Sequence, residues 1–448
     1  MCQMPSIRKI CLLSLCLLIT FFSTQFTPAF SQTGPIEITS SLNPVGSGAR
    51  ALGMGGAFMA VADDATAASW NPGGLIQLDL PEVSIVGAGF YRSEDNTFGT
   101  NPEASGSQSI AEGRVNYLSA SWPFKVMNYN MIVSANYQHL YDFTRGWDFI
   151  LTEQDADLSL SQDVDYDQDG SLSAFGLAYC VEIVPTLSFG VTLNFWEDGI
   201  YDNEWKQRVN QKGSGTHEGD PFSFSSNSYE KYSFSGFNVN LGVLWNATEN
   251  LTIGAVLKTP FEADLRHESR FTSSMVYPLD PSRNTAASLS SVAHEDLDMP
   301  LSYGIGFAYR FSDSFTASMD VYRTQWDDFI LTDSKGEERS FVTGKPESES
   351  DVDATYQVRV GAEYLIFRPN YIIPLRAGVF YDPAPAEGSP DDYYGISVGA
   401  GIARGVLVFD VAYQYRFGNS VGAHVLEGYG FSQDVDEHTV YSSLIIHF

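Results

Sequence analysis

The chain has 448 residues with 25 basic and 55 acidic side chains, a formal net charge of −30. That balance argues against a nucleic-acid partner, since phosphate binding needs clustered Lys and Arg. Aromatic residues make up 14% of the chain, and beyond the N-terminus no apolar run is long enough for a transmembrane helix, which leaves a β-barrel open because every second strand residue of a barrel faces its lumen.

Residues 1–31 read as a secretory signal peptide. Arg8 and Lys9 precede an apolar core over 10–22, and Ala29-Phe30-Ser31 offers a small-x-small cleavage site before Gln32. Cys2, Cys11 and Cys16 fall inside this segment, so the mature chain keeps only Cys180 and forms no intrachain disulfide. Without Arg8 and Lys9, 23 basic residues face 55 acidic ones, a net charge of −32. Residues 32–80 lack a strand pattern and are rich in Gly, Ala and Asp. A short helix is expected about 49–59 and a helical turn from Asp63 or Asp64, ended by Asn71-Pro72-Gly73-Gly74. Such a segment is too short to bury a core of its own and suits a plug inside something larger.

From residue 81 to 448 the period-2 alternation of one-faced sheets takes over. Leu301, Tyr303, Ile305, Phe307, Tyr309 and Phe311 alternate with Ser302, Gly304, Gly306, Ala308 and Arg310. Strands are expected at 82–92, 113–123, 128–142, 172–184, 186–197, 232–246, 250–262, 299–311, 314–326, 353–366, 371–381, 393–403, 405–417 and 437–448. Connections after the even-numbered strands are brief, and those after the odd-numbered ones are longer and rich in Asp, Glu, Ser and Gly. The terminal Phe448, with Ile446, Leu444 and Val440 on its face, resembles an assembly signal for outer-membrane barrels, so the barrel-assembly machinery is an expected partner. The expectation is an all-β fold: a 14-stranded antiparallel transmembrane β-barrel of a Gram-negative outer membrane, surrounded by its lipid, with a small, partly helical N-terminal plug in the lumen.

Several motifs invite chemistry. Gly53, Gly55 and Gly56 suggest a dinucleotide loop, but no strand precedes them and the rest is antiparallel β, so they read as close-packing positions of the plug. Asp165, Asp167 and Asp169, with Asp163 upstream and Gly170 at the turn position, have calcium-loop spacing. The twelfth position is Gly176 rather than Glu, so an exposed acidic loop is favoured and calcium is at most a structural ion. Arg310, Asp320, Arg359, Glu363, Arg376, Asp410 and Arg416 alternate with apolar residues and should face the lumen, because charge is costly in lipid. The seven histidines are scattered without metal-ligand spacing, and no convergent nucleophile or acid-base set is visible. The sequence indicates no enzyme and no cofactor.

The segment "GARALGMGGAFMAVADDATAASWNPGGL" (48–75) resembles the N-terminal hatch of the FadL/TodX family of outer-membrane transporters for long-chain fatty acids and hydrophobic hydrocarbons. The matching residues include Asp63-Asp64 and Asn71-Pro72, with Gly73 where the family usually has Ala. The resemblance continues through "MPLSYGIGFAYRFSDSFTASMDVYRTQWDDF" and "LRAGVFYDPAPAEG" to "YYGISVGAGIARGVLVFDVAYQYRFG". It implies a fourteen-stranded barrel plugged by its hatch and passive uptake of a hydrophobic small molecule. Family members release substrate sideways at a kinked third strand, whereas 128–142 has no interior Gly or Pro to mark such a kink. The loops expected to capture substrate contain Phe222, Phe224, Phe271, Met275, Val276 and Tyr277. A scaffold or docking role in a secretion machine is the alternative on the same fold.

Overall fold

A computed structural model describes residues 46–198, 203–426 and 428–448; the expected signal peptide and residues 32–45 of the expected plug lie outside the described residues. Fourteen strands close into one antiparallel barrel: β1 (Glu82–Phe98), β2 (Gly106–Val126), β3 (Tyr129–Asp142), β5 (Leu158–Val184), β6 (Leu187–Trp196), β8 (Asp220–Asn246), β9 (Leu251–Lys258), β12 (Ser302–Ser312), β13 (Phe315–Thr324), β16 (Thr355–Arg368), β17 (Tyr371–Tyr381), β18 (Tyr394–Arg404), β19 (Leu407–Val421) and β20 (Phe431–His447). Each pairs with the next, and β20 returns to β1 along its whole length, Phe98 opposite Phe431 and Glu82 opposite His447. Closure leaves no sheet edge for lipid to desolvate. All fourteen expected strands are present.

The barrel is inside-out relative to a soluble fold. Ile85, Leu118, Trp122, Leu177, Phe307, Val379 and Phe409 point outward and stay exposed, while their strand neighbours Ser84, Ser119, Ser121, Asp320 and Asp410 are buried in the lumen. Outward Phe195 and Phe237 pack with their tilted rings 5.2 Å apart where β6 ends and mark the upper aromatic girdle. At the opposite rim the Phe448 amide donates to the Pro81 carbonyl, 2.9 Å, tying the C-terminus to the start of the wall.

The long connections are where the structure departs from the sequence reading. A membrane strand needs about 9–11 residues, yet β5 and β8 have 27 each. Their outer halves join β4 (Arg145–Gln154), β7 (Glu204–His217), β10 (Phe261–Val276) and β11 (Thr285–Met299) in a sheet ordered β4-β5-β7-β8-β10-β11 that stands above the membrane. Outward residues on β10 are Glu262, Asp264, Arg266 and Arg270, which no lipid face would carry. Two short strands, β14 (Ile330–Thr332) and β15 (Glu338–Ser340), complete the set.

Candidate functional site: the lumen, its hatch and its mouth

Residues 46–78 fill the lumen as two short helices, α1 (Ala49–Gly53) and α2 (Ala67–Trp70), and a 3-10 segment (Pro72–Gln77). The helix expected over 49–59 stops early because Gly55 and Gly56 adopt φ of 68° and 76°, outside the helical region. The turn lets the segment press against the wall. An ideal Cβ at Gly361 would lie 2.2 Å from the Met54 carbonyl oxygen, and one at Gly378 2.3 Å from the Gly55 nitrogen. Gly53 meets the backbone of Gly399 in the same way.

Polar contacts fix the segment at named points. Asp320 on β13 accepts from the Phe58 and Met59 amides at 2.7 and 2.9 Å. Asn71 donates to the Met59 carbonyl at 2.8 Å and to the Val243 carbonyl of β8 at 2.9 Å, and its Oδ1 accepts from Gly73. Pro72, with its missing amide hydrogen, occupies the first turn of the 3-10 segment. Asp64 is buried and accepts from the Thr66 amide and hydroxyl, while Asp63 pairs with Arg50 at 2.6 Å. From Arg50 a chain of charges runs into the wall: Glu363 at 2.9 Å, then Arg376 at 2.6 Å, then Asp410 at 2.5 Å. Arg359 donates to the Gly55 carbonyl and pairs with Asp382 at 3.4 Å, which also meets Arg416 at 3.4 Å; Arg416 pairs with Glu437 at 2.8 Å. Six of the seven charges singled out in the sequence therefore lie buried in the lumen. Arg310 does not: it is exposed at the short-turn rim, donating to the Glu249 carbonyl, because its strand ends there. Arg50 was missed, although it is the one basic residue between 32 and 80 and the segment's Asp63-Asp64 pair offers it a partner.

The mouth is closed by side chains. One buried cluster spans it, with Leu140, Trp196, Trp205, Tyr232 and Phe234 on one side and Tyr393, Val421 and Val435 on the other. Between them lies a strap over 325–352 that contributes Trp326, Phe329, Leu331, Phe341 and Val342. Phe341 packs on Phe329 at 4.8 Å and on Trp205 at 6.1 Å. Below the strap is a small chamber, about 50 Å³, lined by Leu140, Tyr141, Trp196, Phe261, Tyr322 and Trp326, with Asn194, Asn238 and Lys258 among its polar groups. Such a space holds at most a few waters. A second chamber of about 130 Å³ above the hatch has charged groups in its wall, Arg114, Asp142, Arg359, Asp382, Arg416 and Glu437, together with Leu52, Trp70 and Phe90.

Two sets of candidates end up elsewhere. Phe222 and Tyr277 pack on each other at 5.8 Å with Leu160, and Phe224 and Met275 against them, at the far tip of the outer sheet. Phe271 faces Leu289 across β10 and β11, and Val276 is exposed. None of them lines the mouth; the strap residues and Trp205 do. The Asp163, Asp165, Asp167 and Asp169 run is not a loop but alternate, outward positions of β5, with Val164, Tyr166 and Gln168 buried between them. Next-but-one strand residues stand about 7 Å apart, so these carboxylates do not converge on an ion; they face Lys212, Asn210, Arg208 and Lys206 of β7. Among the described residues, no group of three or more His, Cys, Asp or Glu side chains is placed to hold a metal. The wall at β3 is paired without interruption from Met131 to His139 on the β5 side and carries a bulge only at Leu140.

Residues 40–425 match the family of outer membrane transport proteins described as OMPP1/FadL/TodX, and the chain belongs to that family. The fold agrees with solved structures at low sequence identity. A Pseudomonas aeruginosa FadL homologue aligns with a TM-score of 0.61 at 14% identity, covering 90% of this chain and 98% of its own. The Pseudomonas putida toluene transporter TodX aligns at 0.56 and 14% identity, covering 90% and 98%. The CymD monoaromatic hydrocarbon channel aligns at 0.51 and 17%, covering 91% and 98%. No curated protein matches the chain in sequence. The chain is thus an outer-membrane β-barrel of a family of transport channels for hydrophobic compounds.

Proposed function

We propose that this protein is a passive, hatch-gated channel for uptake of hydrophobic small molecules, long-chain fatty acids or hydrocarbons, across the outer membrane. The observation that carries the reading is the chamber under the strap, where Tyr141, Trp196, Phe261, Tyr322 and Trp326 stand among Asn, Thr and Lys side chains. Its walls offer a tail the burial that stabilises by about 0.8 kcal/mol per CH₂, and it lies directly between the mouth and the hatch. TodX and CymD, the relatives described as a toluene transporter and a monoaromatic hydrocarbon channel, support a hydrophobic cargo. Lys258, with Nζ 5.7 Å from the Tyr322 ring, supplies a cation at the chamber wall for a carboxylate headgroup. Neutral hydrocarbons need only the aromatic walls.

The chamber is too small for cargo in this closed state, so entry requires the strap to lift, and passage inward requires the hatch to shift from its wall contacts. The test is uptake of a radiolabelled fatty acid and an alkyl-aromatic by transporter-deficient cells carrying wild-type protein or Trp326→Asp, which places a charge in the chamber wall. Uptake by the wild type, lost in the folded variant, supports the reading. Equal uptake by both removes the chamber from the route.

A further inference from the structure

We propose that the outward face of β7, β8 and β10, above the lipid band, binds the phosphorylated saccharide headgroup of an outer-leaflet glycolipid. The mature chain has only 23 basic residues against 55 acidic ones, yet five of the 23 meet on three adjacent strands. The cross-strand register places Lys206 opposite Lys231 and Arg208 opposite Tyr229. It also places Tyr229 opposite Arg270, and Arg266 opposite Ser233. Two like charges directly opposed destabilise a sheet unless something else is gained. Here Glu204 pairs with both Lys206 and Lys231, Glu268 pairs with Arg266, and Asp169 of β5 stands opposite Lys206, which leaves Arg208 and Arg270 as the two cations with only long carboxylate contacts.

The centre of the patch is a rung of Arg208, Tyr229 and Arg270. The two guanidinium carbons lie 5.5 and 5.7 Å from the Tyr229 ring centroid. Their carboxylate contacts are long, 3.6 Å to Asp167 and 3.8 Å to Glu268, and their side chains are 49% and 68% exposed. Stacking on one ring orders both forks while their donors remain open to solvent, the arrangement that suits bidentate phosphate.

Height selects the ligand. Lys231 stands six residues above Phe237 on β8, about 20 Å along the strand at ~3.3 Å per residue and about 15 Å above the girdle at the usual ~40° tilt. Acyl chains end at the girdle, where Leu177, Phe195 and Phe237 present a tail-binding wall on neighbouring strands. A headgroup that reaches the patch must rise well above its tails, as a phosphorylated oligosaccharide does and a simple phospholipid does not. Screening removes the repulsion of acids beyond ~8 Å at physiological salt, and the nearer Asp167 and Glu268 hold Arg208 and Arg270 only at 3.6 and 3.8 Å, contacts that a phosphate displaces.

The test uses the full-length protein in neutral detergent, with native mass spectrometry and the heat-dependent gel shift as readouts. The probes are lipopolysaccharide with a phosphorylated core, the same lipid after enzymatic dephosphorylation, and sodium pyrophosphate. The expected result is retention and stabilisation by the phosphorylated lipid, at least about tenfold stronger than by the dephosphorylated one, since each charge-assisted hydrogen bond carries at least that factor. The triple variant Arg208→Gln, Lys231→Gln, Arg270→Gln should lose that preference while keeping its gel shift, and Glu268→Gln should strengthen it. Equal retention of both lipids, or an unchanged preference in the triple variant, overturns the proposal. So does saturation by pyrophosphate with no gain from the lipid, which would make the patch a site for soluble phosphate.

Discussion

Gly361→Val tests whether the hatch is seated by wall glycines. The first added carbon would stand 2.2 Å from the Met54 carbonyl oxygen and 2.8 Å from its Cβ, both on the hatch. Neither is the end of a flexible side chain, so relief requires the hatch backbone to back away. Overpacking of this kind costs about 1–3 kcal/mol, shifting the seated-to-unseated ratio roughly 5- to 150-fold. The added carbons point into the lumen, so the ladder that holds β16 between β13 and β17 is left intact. In planar bilayers the variant should show openings to small ions that are rare in the wild type. Gly113→Ala, an outward position whose nearest neighbour is 4.0 Å away, should not. Wild-type conductance from an inserted, heat-modifiable Gly361→Val would refute the reasoning, because the hatch would have absorbed the clash without moving.

Other consequences follow from the same contacts. Glu363→Gln removes the charge between Arg50 and Arg376, which keep Asp63 and Asp410, and should destabilise hatch seating by about 1.5–3 kcal/mol, the cost of a charge-assisted hydrogen bond; conductance and proteolytic access to residues 46–78 report it, and wild-type values for both contradict it. Leu331 and Leu297 are directly paired between strap and β11, so a Leu297→Cys, Leu331→Cys disulfide should block uptake when oxidised and restore it on reduction; unchanged uptake of the oxidised form means the strap need not lift. On β10, outside the membrane, burial alone would push the His267 imidazole down, but hydrogen bonds to Glu230 and Glu295 at 2.8 and 3.0 Å outweigh it and hold it up at about 9. Raised above its ordinary value, His267 stabilises the outer sheet fully below about pH 6.5 and loses that contribution as pH rises through about 9, by at most about 3 kcal/mol. Fluorescence of Trp205, stacked on Tyr232 beside His267, should follow that titration, and His267→Gln should flatten it.

The wall was legible because lipid on one side and a polar lumen on the other force strict alternation, as in Ser302 to Ser312, where every other residue is large and apolar. The outer sheet was not, because its outward face meets water rather than lipid and its composition reads as loop. Trp147, Phe149, Leu151, Val164 and Tyr166 do alternate there, but the intervening Asp residues masked them. For the same reason Asp165, Asp167 and Asp169, with their calcium-loop spacing, read as an exposed acidic loop rather than as part of a strand. The hatch motif was readable from its glycines and Asn71-Pro72, whereas its partners on the wall, Gly361 and Gly378 among them, announce themselves only when the barrel brings residues some 300 positions apart together. The strap over 325–352 gave no sign of its role, since Trp326, Phe329 and Phe341 are too widely spaced to mark a strand or helix.

The central claim is that hydrophobic molecules cross the outer membrane through this barrel. Its most direct test is time-resolved uptake of radiolabelled oleate and an alkyl-benzene by cells lacking their own transporter, with and without this protein correctly inserted. Uptake of at least one, rising with tail length and abolished by the Leu297–Leu331 staple, is the predicted result. No uptake of either by cells with inserted, heat-modifiable protein would contradict the account.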